Sequence, residues 1–373
     1  MRIYVDHNAG APLRPEVRAA MLDVLGPPAN PSSAHREGAR ARSAVEAARA
    51  EVAALVGGTP AEIVFTSGAT EANNLALRGS GGALVTTAIE HASVLETARD
   101  LADAGRELTI VGVDGEGRVA AEDVVAAARP GVVSVGLANG EVGSVAPVAM
   151  IAAALRPRGI LVHTDAAQAA GRLPLDVSAL GVDLLSLSAH KIGGPPGVGA
   201  LWIRRGVALI AQLTGGAQER GRRAGTENVP GIVGFGVAAG LARAERAASA
   251  AASEALVARL WSGIAARIPH AVRNGPTSAP RLPNTLNVGF PGCAGESLLV
   301  LLDLAGIAAS LGSACAAGST EPSHVLLAMG RDRDAARGGL RLSFGPGSTD
   351  ADVDRLLDVL PRIVAQVRGG VAA

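Results

Sequence analysis

Between residues 62 and 203 the sequence alternates short apolar, β-branched runs with Ala-rich stretches of helical period, and this alternation leaves few architectures open. Strands are expected at 62–66, 83–87, 108–113, 132–137, 160–164, 183–188 and 199–203, with helices among them at 70–78, 92–104, 121–129 and 147–157. Strand and helix in alternation dictate a largely parallel sheet covered by helices on both faces. Only 2% of the 373 residues are aromatic while 48% are hydrophobic, so Leu, Val, Ile and Ala must fill the core.

The flanks follow the same logic. Val45, Ala48, Val52, Leu55 and Val56 share one face of a helix over 36–56 that stops at Gly57-Gly58. Residues 230–268 read as one or two long helices ending near Pro269. The Pro/Gly-rich 274–283 then connects to a smaller α+β unit, with strands at 284–290 and 339–344 and helices at 295–305, 322–329 and 350–368.

Net charge is zero and the isoelectric point is 7.1, which gives no electrostatic argument for nucleic acid or an anionic membrane. A small-molecule substrate fits better. The uncharged stretches are interrupted by Pro, Gly, Ser or Asn and residues 1–6 carry no apolar leader core, so neither a membrane span nor export is expected. The two cysteines, Cys293 and Cys315, are 22 positions apart and belong to no paired motif. They are read as free thiols in the cytoplasm, with no metal site.

Of 34 basic residues, 33 are arginine; Lys191 is the only lysine. Arginine serves wherever a solvated cation suffices but does not act as an amine nucleophile, so a lone lysine points to a need for its amine. A coding bias toward arginine that spared one lysine is the plainer account. Lys191 follows the apolar run 183–188 and precedes Gly193-Gly-Pro-Pro-Gly197, placing it at a strand exit, where α/β proteins carry their chemistry.

Asp165 in Leu161-Val-His163-Thr-Asp165-Ala-Ala-Gln168 sits at another strand end. An acid there can hold a pyridine nitrogen protonated, and pyridoxal phosphate is the cofactor that combines such an acid with a lysine-bound aldehyde. Asp165 also suits a plain helix cap. Thr66-Ser-Gly68-Ala69-Thr70-Glu71 feeds a helix N-terminus able to take a phosphate or simply to be capped. His91, after strand 83–87, is positioned to stack on a planar cofactor and shuttle protons, or to serve structurally. Cys315 lies in the small-residue segment Ser310-Leu-Gly-Ser-Ala-Cys315-Ala-Ala-Gly-Ser, which suits a reactive thiol, and Cys293 is ranked inert.

In order along nearly the whole chain, these segments resemble the NifS/IscS-type cysteine desulfurases, class V aminotransferase relatives of fold type I. Asp6-His-Asn8-Ala, Asn30-Pro-Ser-Ser-Ala-His35, Glu90-His91, Ser188-Ala-His190-Lys191, Gln218-Glu-Arg-Gly, Arg223-Ala-Gly-Thr226-Glu-Asn and Glu321-Pro-Ser-His-Val-Leu326 carry the likeness further. The resemblance implies a large cofactor-binding domain over 15–255 and a small domain of 1–14 and 256–373 carrying the Cys315 loop. Lys191 would bind pyridoxal phosphate covalently, Asp165 would pair with its ring nitrogen, Gln168 with its ring hydroxyl, and His91 would stack and transfer protons. Ala69, Thr70, Ser188 and His190 would hold the phosphate together with Thr226 from a second subunit, which implies a homodimer. Arg341 and Asn8 would bind substrate.

The implied activity is conversion of L-cysteine to L-alanine, with sulfur passed to Cys315 as a persulfide and on to an acceptor such as an iron–sulfur scaffold or a thiolation protein. Selenocysteine cleavage, class V transamination and a non-catalytic sulfur relay are the alternatives. One departure bears on the site. The family's Asn-Asn-Glu is Asn139-Gly140-Glu141 here, so an asparagine restored at 140 is expected to add a hydrogen bond and improve turnover of cysteine.

Overall fold

A computed structural model describes residues 2–26, 30–312 and 321–370. In chain order its strands are β1 (Ile3–Tyr4), β2 (Ile63–Thr66), β3 (Ala83–Thr87), β4 (Leu108–Val111), β5 (Gly131–Ser134), β6 (Leu161–Asp165), β7 (Leu184–Ser188), β8 (Gly199–Ile203), β9 (Val272–Asn274), β10 (Thr285–Gly289), β11 (Ile307–Ala308) and β12 (Gly339–Ser343). Seven of them form one sheet in the order β2-β8-β7-β6-β5-β3-β4. All run parallel except β8, which is antiparallel to both neighbours. The expected mixed α/β architecture is therefore present, with one reversed strand.

β2, β3, β7 and β8 are buried along their whole length, as strands covered on both faces must be. Because β2, β3, β5, β6 and β7 point the same way, their C-terminal ends meet along one edge of the sheet. That edge delivers Thr66, Thr87, Ser134, Asp165 and Ser188, and the loops after them carry the chemistry.

A second core gathers Ile3 and Val5 with Leu286, Val288, Leu340, Leu342, Leu356 and Leu360 around the antiparallel sheet β12-β10-β9 and the short parallel pair β1-β11. The stretch expected as one or two helices is a single one, Val229–Arg267, 39 residues and about 60 Å long. It starts in the large core through Ile232, Phe235 and Ala239 and ends in the second through Val257, Leu260 and Ile264. Among the described residues, no helix is long and apolar enough to cross a membrane.

Candidate active site

At the strand edge a cavity of about 760 Å³ opens. Lys191 reaches it because β7 ends at Ser188 and the chain makes one tight turn, Ala189–Lys191. Its Nζ donates to the carbonyls of Asn8 (2.6 Å) and Ala9 (3.0 Å), and no carboxylate among the described residues is bonded to it. Burial, with Arg172 and Arg341 nearby, pushes its pKa down to about 8, so a substantial neutral fraction exists near physiological pH. Asp165, from neighbouring β6, lines the same cavity. Its Oδ1 accepts from Ala167 N at 2.9 Å within a turn, so it caps no helix, and its Oδ2 accepts from Asn73 Nδ2 at 2.7 Å.

His91 is both a cap and a cavity-lining residue. The residue caps the helix Ala92–Asp103, Nδ1 accepting from Ser93 N at 3.1 Å, while its ring lines the cavity. Burial lowers its pKa; Asp165 opposes that shift, and Lys191 and His324 add to it. Beside it, Glu90 is enclosed, accepts from Thr87 Oγ1 and Gly136 N, and is pushed up to about 7 by desolvation.

Opposite, the turn after β2 brings Ala69 and Thr70 to the start of the helix Ala69–Gly79, whose first N–H groups lack intrahelical acceptors. This turn packs hard on β8. A Cβ on Gly199 would lie 2.6 Å from Gly68 Cα, so only glycine allows the approach. Ser188 Oγ and His190 Nδ1 are 2.8 Å apart on the same wall. Burial, Lys191 and His91 lower His190 to about 4, leaving it neutral.

Thr226 is not in this cavity; it is exposed on the loop after Gln218–Gly221. That loop is fastened by a buried pair that the sequence motif did not disclose. Arg49 Nη1 and Nη2 each donate to Glu219 at 2.7 Å, and Glu219 also accepts from Phe65 N on β2. Arg223 bonds Glu71, next to Thr70, at 2.8 Å.

Arg341, on β12, donates Nη2 to Asp6 Oδ1 and Nη1 to Gly312 O, both at 2.7 Å, while its buried Nε has no partner among the described residues. Asn8 is buried, its amide donating to Gly140 O and Thr285 Oγ1 and its Oδ1 accepting from Asn284. What it offers Lys191 is therefore its carbonyl.

At position 140 the asparagine expected to help would meet a crowded space. The space is filled: a Cβ on Gly140 would lie 2.6 Å from Cδ and Nε2 of Gln168. Gln168 is itself held, Nε2 donating to Asn8 O at 3.0 Å and Oε1 accepting from Arg172 at 2.8 Å. Gly140 is also outside the left-handed region, so backbone conformation does not require glycine there.

Cys315 lies outside the described residues. Just beyond its segment, Ser323 Oγ donates to the buried Glu141 carboxyl, whose pKa burial raises to about 7. Cys293 is buried against Val364 O at 3.8 Å and its thiol is pushed up by desolvation, as suits an inert cysteine. The sequence left Asn73, Ser93, Arg172, Glu141 and His324 without roles, although Glu141 and His324 fall within the motifs quoted above.

A family model for aminotransferase class-V matches residues 3–356, and the chain belongs to that family. The family implies, in general, dependence on pyridoxal phosphate. Within it the chain is similar to cysteine desulfurase IscS of Clostridium botulinum, 43% identical over 378 residues that span 98% of this chain and 95% of the relative. A NifS-like protein of solved structure superposes with a TM-score of 0.91 at 38% identity, covering 98% of this chain and all of its own. SspA, solved in complex with cysteine, gives 0.80 at 34% identity over 94% of this chain and 100% of its own. The resemblance to NifS/IscS-type enzymes drawn from the motifs is borne out.

Proposed function

We propose that this chain is a pyridoxal-phosphate-dependent cysteine desulfurase: L-cysteine and the Cys315 thiol give L-alanine and a Cys315 persulfide. The observation that carries the reading is the single lysine, its amine made titratable near neutrality by burial and facing one cavity with Asp165 and His91. The residues present fit the cofactor. Ala69 and Thr70 N–H groups, Ser188 and His190 would hold its phosphate, Asp165 its ring nitrogen, Gln168 its hydroxyl, and Lys191 its aldehyde carbon. When bound, it supplies an electron sink for bonds at the substrate α-carbon.

The chain's own groups do the rest. Neutral Lys191 Nζ takes the substrate α proton, and Arg341, with Nε open and Nη1 exchangeable from a carbonyl, binds the substrate carboxylate. Cys315 Sγ, as thiolate, takes the substrate sulfur. Thr226, outside its own chain's cavity, would complete a partner's phosphate site, so we propose a homodimer. The two apolar cores support a division into 15–255 and 1–14 with 256–373. A cytoplasmic setting and delivery of the persulfide sulfur to a protein acceptor complete the proposal.

The test is release of alanine and sulfide from L-cysteine by cofactor-loaded protein, with and without a thiol reductant. Sulfide release that requires reductant and disappears in Cys315→Ser supports desulfuration. Amino-group transfer that survives Cys315→Ser identifies a transaminase instead.

A further inference from the structure

A chain of hydrogen bonds joins Asp165 to His91 through two residues outside the roles above. Asn73, fully buried on the helix Ala69–Gly79, sends both Nδ2 protons outward, one to Asp165 Oδ2 at 2.7 Å and the other to Ser93 Oγ at 2.9 Å. The amide orientation is dictated by chemistry, because the reverse would set its oxygen against a carboxylate oxygen. Ser93 Oγ accepts from Asn73, so its one proton is directed to its other neighbour, His91 Nδ1, 2.8 Å away. The Ser93 backbone N–H points at that same Nδ1 at 3.1 Å. Two donors therefore converge on one ring nitrogen, which must be the acceptor; a proton there would face both.

We propose that Asn73 and Ser93 are positioning residues that hold His91 in the single tautomer with its proton on Nε2. The ring then enters the cavity as a hydrogen-bond donor, and the proton-accepting role falls to Lys191 Nζ. The same fork of Asn73 fixes the carboxylate of Asp165, so the two expected ring partners of the cofactor are set relative to one another by one amide. This rests on the reading of Asp165 and His91 given above, but the tautomer itself does not depend on turnover.

Other charges bear on the ring. Asp165 at the end of β6 favours the protonated ring, while Lys191 after β7 and His324 on the helix His324–Ala328 oppose it; His190 stands on the same wall. All are unchanged by substitutions at 93, so a change in His91 titration there reports the hydroxyl alone.

The experiment is long-range 1H–15N spectroscopy of the 15N-histidine-labelled protein, ligand-free and cofactor-loaded, between pH 5.5 and 8.5, with His91→Gln to identify its signals among seven histidines. The expected result is Nε2–H with unprotonated Nδ1. In Ser93→Ala the His91 pKa should rise by about half a unit to one unit as one donor is lost, and Ser93→Thr, which keeps the hydroxyl, should restore it. Asn73→Leu should raise it in the same direction; if that variant does not fold, the Ser93 pair decides. An Nδ1–H tautomer in the native protein, or an unaltered pKa in Ser93→Ala, overturns the proposal. Either outcome is readable whether or not the protein turns over cysteine, so failure of the desulfurase reading is seen separately.

Discussion

Gln168 occupies the volume that a side chain at Gly140 would need: its Cδ and Nε2 lie 2.6 Å from where a Cβ would stand. Glycine at 140 and the position of Gln168 are thus one feature, tied to Asn8 and Arg172 by the amide's two hydrogen bonds.

Filling that space should be costly. Gly140→Ala and Gly140→Asn are expected to lose about 1–3 kcal/mol of stability by overpacking against Gln168. Adding Gln168→Ala should recover much of the loss, a non-additivity that marks the contact. Denaturation midpoints of the six proteins in the two cycles check it; a Gly140→Asn protein as stable as the native one would show that Gln168 moves freely.

The lowered pKa of Lys191 predicts how the ligand-free protein meets pyridoxal phosphate. Loading followed by borohydride reduction should accelerate as pH rises through about 8, not through the ordinary lysine range near 10.4. Lys191→Arg should take no side-chain label, leaving the α-amino group as the chain's other amine. A pH midpoint near 10 would show that burial and Arg172 do not act on the amine as described.

Glu141 predicts a pH-dependent stability. Burial raises its folded pKa to about 7, above the ordinary 4.5, so between those values the folded state keeps a proton that the unfolded state has released. Its contribution is full below about pH 4.5 and is lost as pH rises through 7. Glu141→Gln, neutral and nearly isosteric, can still accept from Ser323. It should therefore match the native protein near pH 5 and exceed it by about 1–3 kcal/mol at pH 8. Glu90 shifts in the same direction but is common to both proteins. Equal midpoints at pH 8 would contradict the raised pKa.

Much of the large sheet was legible because each strand is an aliphatic run ended by a polar or glycine-rich turn, and because the four expected helices, 7–12 residues long, leave a clear period between strands. The reversal of β8 was not legible. Direction is set by the short Gly193–Gly197 connection, and the aliphatic run 199–203 reads alike both ways. β1 and β11 are two residues each, too short for any period to show, and the helix Pro15–Val24 buries only Val17. At the site, Lys191 stood out through its rarity, and Asp165 and His91 through their strand ends. Asn73 and Ser93 did not, because an Asn or Ser near a helix start is ordinary; only the meeting of two helices shows that they bond each other and the Asp165 and His91 side chains.

If Cys315 receives the sulfur of L-cysteine, the mass of its peptide must show it. Cofactor-loaded protein is given 34S-labelled L-cysteine without reductant, trapped with an alkylating reagent and digested. One added labelled sulfur is expected on the Cys315 peptide and none on the Cys293 peptide, with an equivalent of alanine in solution. Labelled sulfur on Cys293, or alanine formed with no sulfur on either cysteine, would contradict it.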